Sequence, residues 1–124
     1  MTAKWTELIV DAADPEGLAR FWADVLGWPR TGNYVDDDDG AVELASPDGA
    51  RPTLVFLRVP ETKSVKNRLH IDVSPSGGAD QAAELERLLA LGARPVDVGR
   101  GEQTWVVLAD PEGNEFCLLR TPVA

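Results

Sequence analysis

One hexapeptide occurs twice in this chain, almost unchanged. Residues 44–49 read LASPDG, and residues 108–113, 64 positions further on, read LADPEG. Two segments with helical periodicity also end alike, in Leu-Gly at 26–27 and at 91–92. A period of about 60 residues is longer than that of typical solenoid repeats. The sequence therefore predicts two copies of one larger unit within a single domain of residues 1–124, with module one at about 1–60 and module two at about 66–124.

Each copy reads as a strand, a helix and three further strands. In the first copy Asp14 is the expected N-cap of the helix, with Pro15 at its first position. The apolar helix faces are predicted at Leu18, Phe21, Trp22, Val25 and Leu26, then at Leu85, Leu88 and Leu89. The further strands are NYV, AVELA and TLVFLRV, then PVDV, TWVVLA and EFCLLR. The two hexapeptides then form the hairpin turn between the last two strands of each copy.

Two βαβββ units in tandem resemble the vicinal-oxygen-chelate superfamily, which includes glyoxalase I, extradiol dioxygenases and bleomycin-resistance proteins. The segments DAADPEGLARFWADVLGW and WVVLADPEGNEFCLL look like its glyoxalase-like subgroup. The resemblance covers almost the whole chain and implies an α+β fold. In that fold the curled mixed sheets form half-cups, the helices pack outside, and paired half-cups enclose the ligand. Because one fold hosts many functions, the resemblance specifies the chemistry poorly.

Strand alternation predicts which side chains face into the cup, because successive side chains point to opposite faces. The predicted inward set is Trp5, Glu7, Ile9, Arg68, His70, Asp72, Glu115, Cys117 and Leu119. The set predicted to pack on the opposite face is Leu8, Val10, Leu69, Ile71, Val73, Phe116 and Leu118.

The resemblance also implies four metal positions, which carry over to Glu7, Thr53, His70 and Cys117. Threonine is a poor ligand, and a cysteine stands where the family has a carboxylate. Carboxylate, imidazole and thiolate suit zinc, so Glu7, His70 and Cys117 remain one interpretation as a metal site. In the alternative, Cys117 is a small packing residue and Glu7 is hydrogen-bonded to His70 across the cup.

His70, the only histidine, is the candidate catalytic residue. Histidine is a common general base, so His70 can act as one, oriented by Glu7, or contact a ligand. The alternative is a buried, hydrogen-bonded histidine. Trp5 and Trp105, two of four tryptophans, are candidate stacking walls for a flat ligand, although tryptophan is also enriched in interfaces. The proposed ligand-binding set is Trp5, Glu7, Ile9, His70, Asp72, Trp105 and Cys117.

The composition limits the classes of partner that this protein is expected to bind. The net charge of −9 disfavours nucleic acid and would attract a cationic small molecule. The single cysteine, the absence of long apolar runs and the lack of a secretory segment predict a cytoplasmic protein without membrane contact. We expect a homodimer, because half-cups leave sheet edges open.

Two classes of function follow from these observations. The preferred prediction is a protein that binds a small, flat or aromatic molecule, as drug-sequestering resistance proteins do, and needs no cofactor. The alternative is a metal-dependent lyase, isomerase or dioxygenase of the glyoxalase I or extradiol type, using Zn, Ni, Mn or Fe.

Overall fold

The chain divides into two units, each built around its own mixed sheet, at residues Met1–Thr62 and Lys63–Ala124. The computed structural model describes residues 1–31, 40–96 and 104–124; the predicted strand NYV and the second half of PVDV lie outside these ranges. Unit 1 contains β1 (Glu7–Ala12), α1 (Pro15–Leu26), β2 (Ala41–Leu44) and β3 (Thr53–Arg58). Unit 2 contains β4 (Ile71–Val73), α2 (Gln81–Leu91), β5 (Arg94–Pro95), β6 (Val106–Ala109) and β7 (Glu115–Leu118). The predicted α+β class is confirmed.

The two sheets have the same strand order. It is β1-β3-β2 in unit 1 and β4-β7-β6-β5 in unit 2. The first strand of each unit pairs in parallel with the last, and the last pairs antiparallel with the strand before it. Two parallel neighbouring strands need a long crossover connection, and in each unit the helix is the first element of that connection. Among the described residues of unit 1, Arg30 forms a single antiparallel bridge with Leu44 of β2. This bridge takes the place that β5 has beside β6 in unit 2.

The pairing registers match the two units residue by residue. Leu8, Leu54 and Leu44 form one cross-strand row in unit 1, and Ile71, Phe116 and Leu108 form the same row in unit 2. In the row two residues further along β1 and β4, Phe56 in unit 1 corresponds to Leu118 in unit 2. Five of these residues are almost completely buried: Leu44, Phe56, Leu108, Phe116 and Leu118. These rows form the apolar face of each sheet.

Helix α1 begins and ends as the sequence predicts. Asp14 accepts a hydrogen bond from the backbone N–H of Gly17 at 3.2 Å, and Pro15 occupies the first turn. The helix stops at Gly27, whose φ of +68° is the left-handed conformation that glycine adopts without steric cost. Trp22, only 2% exposed, is a core residue, and its ring meets Phe21 edge to face at 5.4 Å. The predicted apolar face of α1 is therefore confirmed apart from its half-buried end, Leu26.

Helix α2 follows the same plan with a narrower buried stripe. Leu88 is fully buried, whereas Leu89 is 39% exposed, so the prediction that Leu89 packs inward is wrong. The buried neighbour of Leu88 is Glu84, one turn earlier, and its carboxylate accepts two hydrogen bonds from Arg87. Because Glu84 and Leu88 share the inner face, Leu89 lies about 100° further round the helix. The side chain of Gln81 donates to the carbonyl of Leu118 and ties α2 to β7.

The repeated hexapeptides form hairpin turns, as predicted. In each turn the glycine N–H donates to the residue three positions earlier, Gly49 to Ser46 and Gly113 to Asp110, both at 2.8 Å. Both glycines have positive φ, +76° and +86°. Beyond the turns the hairpins differ: Leu44 pairs with Leu54, but Leu108 pairs with Phe116. The hairpin of unit 1 is therefore two residues longer.

The strand predicted over residues 68–73 is shorter than expected. Strand β4 begins at Ile71, where it first pairs with Phe116, so His70 precedes the strand. Leu69 is 80% exposed, and the prediction that it packs under the helix is wrong. Alternation determines burial only where a residue belongs to a sheet, and no strand pairing holds residues 68–70.

Candidate functional site

The sheet of unit 2 brings together the three side chains with the strongest metal-binding and acid–base chemistry in that unit. Register places Asp72 beside Cys117, and Cys117 beside Val107, in what we term the Cys117 row. This row alternates with the apolar row of Phe116 and therefore points to the other face of the sheet. His70 lies just before β4 and reaches the same row from its end.

The three polar groups are close to one another. The Nδ1 atom of His70 lies 3.0 Å from Oδ1 of Asp72 and 4.0 Å from Sγ of Cys117. One ligand atom from each residue can be chosen so that all three lie within 4.8 Å. The side chains of His70 and Asp72 are about half exposed, at 48% and 45%, whereas Cys117 is 7% exposed. The cluster is thus an accessible imidazole–carboxylate pair above a buried thiol.

The surroundings of Cys117 disfavour its thiolate in the metal-free protein. Burial raises the pKa of Cys117, and the negative charge of Asp72 and a hydrogen bond to it raise the pKa further; the charge of Lys66 acts weakly in the opposite direction. The Nδ1 of His70 faces both Asp72 and Cys117. A nucleophilic cysteine instead needs the base on one imidazole nitrogen and the orienting carboxylate on the other. The arrangement does not activate Cys117 as a nucleophile, and it leaves the Nε2 of His70 outside both contacts.

A second polar network fixes the chain segment that leads to His70. The carboxylate of Glu115 accepts hydrogen bonds from Nζ of Lys63 and from the backbone N–H of Asn67, both at 3.0 Å. The Asn67 side chain donates to Asn114. Burial acts to raise the pKa of Glu115, but these two donors outweigh it and lower the pKa overall. Sequence reasoning placed Glu115 inward but missed its partners, because residues 63–67 have no periodic pattern.

The corresponding region of unit 1 has different chemistry. There the carboxylate of Glu43 accepts the hydroxyls of Thr31 and Thr53 at 2.6 and 2.9 Å. Glu7 lies beside Thr53 by register. In the row equivalent to that of Cys117, which we term the Val55 row, Ile9, Val55 and Glu43 are neighbours.

The register corrects one equivalence predicted from residue counting. Thr53 and Cys117, two of the metal positions implied by the resemblance, each lie four residues after the glycine of a hairpin turn, which predicts that the two positions are equivalent. The pairing of β2 with β3 instead puts Val55 in the place of Cys117. Thr53 instead takes the place of Glu115. The two extra residues in the hairpin of unit 1 shift the count. The structure therefore assigns an apolar, fully buried side chain to a position where the metal interpretation expected a ligand.

The remaining predicted site residues divide between the units. Trp5 is 65% exposed, and its Nε1 donates to the carbonyl of Glu7 at 3.1 Å; Ile9 is 48% exposed. Trp105 of unit 2 is 39% exposed and directly precedes β6. Glu7 belongs to unit 1 and His70 to unit 2, so their hydrogen bond stays a prediction. Within unit 2 the carboxylate partner of His70 is Asp72, which sequence reasoning listed only as a ligand contact.

Two tandem βαβ-type units with matching registers define a member of the vicinal-oxygen-chelate superfamily. More specifically, the chain belongs to the family described as a glyoxalase-like domain, whose model matches residues 7–119. No curated protein matches it. No helix among the described residues is long and apolar enough to cross a membrane.

Solved structures share the fold at low sequence identity. One is the fosfomycin resistance protein FosX from Mesorhizobium loti, at 16% identity and a TM-score of 0.68, with 96% of this chain and 92% of that chain covered. Another is a glyoxalase/bleomycin resistance protein/dioxygenase family enzyme from Burkholderia phytofirmans PsJN, at 18% identity and a TM-score of 0.67, with 94% and 97% covered.

A third is the E126Q mutant of FosX from Listeria monocytogenes, at 12% identity and a TM-score of 0.69, with 96% and 93% covered. That protein was crystallised with Mn(II) and 1S,2S-dihydroxypropylphosphonic acid. At these identities the likeness establishes the fold alone.

Proposed function

We propose that this protein binds a small, flat or aromatic molecule in its sheet cup and sequesters it without chemical conversion. The observation that carries the proposal is the exposure of Trp5 and Ile9 at the start of unit 1, next to the carboxylate of Glu7. Large apolar side chains exposed beside a charged group are typical of sites that stack a conjugated ligand. Superfamily membership supports a small-molecule ligand in general.

Charge favours a cationic ligand. The chain carries 21 acidic residues against 12 basic ones, and an acidic surface concentrates cations near a site. Glu7 is partly exposed within β1 and could pair with such a cation. Trp105, the exposed tryptophan of unit 2, is the second proposed stacking surface.

Tryptophan fluorescence tests the binding. Titration with flat cationic aromatic dyes should give saturable quenching. Trp5→Ala and Trp105→Ala should each weaken binding by about 1–2 kcal/mol, or roughly 5- to 30-fold, through lost stacking and burial. Leu69→Ala is the control, because Leu69 is also an exposed large apolar residue but lies outside the proposed stacking walls. Recovery of the unmodified dye by mass spectrometry would support sequestration. Non-saturable quenching, or equal affinities in all three variants, would contradict the proposal.

A metal-dependent lyase, isomerase or dioxygenase is the second candidate, favoured by the cluster of His70, Asp72 and Cys117. A hard ion such as the Mn(II) of the Listeria protein prefers oxygen and imidazole ligands. Here Val55 and Cys117 occupy equivalent places in the two sheets, and the hydroxyl of Thr53 already donates to Glu43. This donor set does not fit a manganese-type centre.

We further propose that residues 1–124 form a single domain and that the protein acts as a cytoplasmic homodimer with two equivalent sites. The support is the exposed apolar surface outside the proposed ligand site, including Val65 and Val123, because exposed apolar patches mark interaction sites. Light scattering at micromolar concentration should give the mass of a dimer. A monomer mass would refute the assembly and leave the binding proposal to its own test.

A further inference from the structure

We propose that His70, Asp72 and Cys117 form a zinc site contained within unit 2, with Asp72 as its carboxylate ligand. The inference does not rest on binding of a flat molecule, so either proposal can fail while the other stands. It differs from the sequence-based interpretation, in which Glu7 of unit 1 supplied the carboxylate.

The spacing of the donors fits a zinc ion. Zinc–nitrogen and zinc–oxygen bonds of about 2.0–2.2 Å and a zinc–sulfur bond of about 2.3 Å place tetrahedral ligand atoms about 3.4–3.6 Å apart. The separations of 3.0 Å between Nδ1 of His70 and Oδ1 of Asp72 and of 4.0 Å between that Nδ1 and Sγ of Cys117 lie on either side of that range. Small side-chain rotations at the two exposed residues would bring all three atoms onto one ion.

The donor chemistry selects the metal. A thiolate, an imidazole and a carboxylate together match zinc, whereas calcium, magnesium and manganese favour oxygen-rich sets. Three protein ligands would leave one tetrahedral position for water or a small molecule. His70 and Asp72 are exposed enough to admit an ion from solvent, and β7 holds Cys117 rigidly beneath them. Lys63 and Asn67, through Glu115, anchor the chain segment that precedes His70.

The fixed strand register explains why Asp72 can serve. Asp72 and Cys117 are direct partners in the parallel pair of β4 and β7, so their side chains leave the same face side by side. His70, two residues earlier, brings its ring back over Asp72. All three ligands therefore come from a single unit: Asp72 from β4, Cys117 from the paired strand β7, and His70 from the segment directly before β4.

Zinc binding to the full chain tests the site directly. The protein is stripped with a chelator, and zinc is titrated against a chromophoric competitor, with stoichiometry measured by plasma mass spectrometry. We expect about one zinc per chain, bound with three protein ligands. His70→Ala, Asp72→Asn and Cys117→Ser should each weaken zinc binding by about 100-fold or more, since loss of an outer-shell partner alone costs 10- to 100-fold. Cobalt substitution should show thiolate-to-metal charge-transfer absorption that Cys117→Ser abolishes.

Two controls make the result decisive. Asp11→Asn changes an exposed aspartate on the first strand of unit 1 and should leave zinc affinity unchanged. Glu7→Gln should also leave it unchanged. If Glu7→Gln loses as much zinc as His70→Ala, the ligand set spans both units and the proposal is wrong. Absence of stoichiometric zinc, or an unchanged affinity in Asp72→Asn, would also overturn it. Circular dichroism of the metal-free variants confirms that each one folds.

Discussion

The two units share a framework but differ in one row of side chains. On the apolar face the corresponding positions hold Leu, Ile, Val or Phe in both units. On the other face, the Val55 row of unit 1 contains Ile9, Val55 and Glu43, whereas the Cys117 row of unit 2 contains Asp72, Cys117 and Val107. Packing against the interior restrains the first set in both copies. The second set differs between the units, with potential metal ligands in unit 2 and mainly apolar side chains in unit 1.

Each sheet also has a part-buried carboxylate, and the two units supply its hydrogen-bond donors differently. Glu43 uses two threonine hydroxyls, whereas Glu115 uses an ammonium group and a backbone N–H. Among the described residues no buried side-chain nitrogen or oxygen lacks a partner. Both carboxylates accept charge-assisted hydrogen bonds, but only that of Glu115 also forms an ion pair, with Lys63, so the network of unit 2 should contribute more to stability. The following substitutions test how far the two units are equivalent.

The largest expected effect is in the shared core. Phe56→Ala in unit 1 should lower the free energy of unfolding by about 3–5 kcal/mol, and Leu118→Ala, at the corresponding position of unit 2, by about 2–5 kcal/mol. Both side chains are fully buried. Urea denaturation measures both. If the units unfold together, the two variants shift one common transition. A cost below about 1 kcal/mol for either would show that its row does not pack as described.

Substitutions in the hydrogen-bond networks of Glu115 and Glu43 should have an intermediate effect on the free energy of unfolding. Glu115→Gln should destabilise by about 1–3 kcal/mol at neutral pH, because it weakens a charge-assisted hydrogen bond and removes the ion pair with Lys63. Thr53→Val, at the equivalent position of unit 1, removes one hydroxyl bond to Glu43 and should cost about 1 kcal/mol. Equal costs would contradict the ranking of the two networks.

The pH dependence of the Glu115 contribution has a definite sign. Its pKa is lowered in the folded protein, so its stabilisation is present above the ordinary carboxyl pKa and is lost as pH falls through the lowered folded value. The stability difference between the wild type and Glu115→Gln should therefore shrink on acidification. Denaturation of metal-free protein between pH 7 and 3 measures it. A difference that grows towards acid pH would refute the assignment.

The smallest expected effects concern the N-terminal turns of the two helices. Asp14→Ala and Asp80→Ala should each cost about 1 kcal/mol. Three residues after each cap, unit 1 has Gly17 where unit 2 has Ala83. Alanine normally gains about 1 kcal/mol over glycine in a helix. A Cβ on Gly17 would lie 2.5 Å from Oδ2 of Asp14, so Gly17→Ala should give no gain in thermal stability. A clear rise in melting temperature would contradict this.

The sequence by itself determined the elements whose causes are local. Asp14 caps the first helix, Gly27 and Gly92 end the two helices, and the repeated hexapeptides form the hairpin turns. Each depends on residues within a few positions of one another, so residue type and periodicity suffice to predict it. The near-identical spacing of these elements in the two halves then predicted two copies of one α+β unit, and that arrangement resembled the family.

Only the tertiary structure decided which side chains meet. Counting along the chain paired Cys117 with Thr53, but strand register pairs its place with Val55, because hairpin length shifts the count. The hydrogen bond of His70 to Glu7 stays a prediction, but the contact of His70 with Asp72 within unit 2 was not predicted from the sequence. These outcomes depend on hydrogen bonding between strands far apart in sequence. A shift of register moves every side chain relative to its neighbours, and no local propensity encodes it.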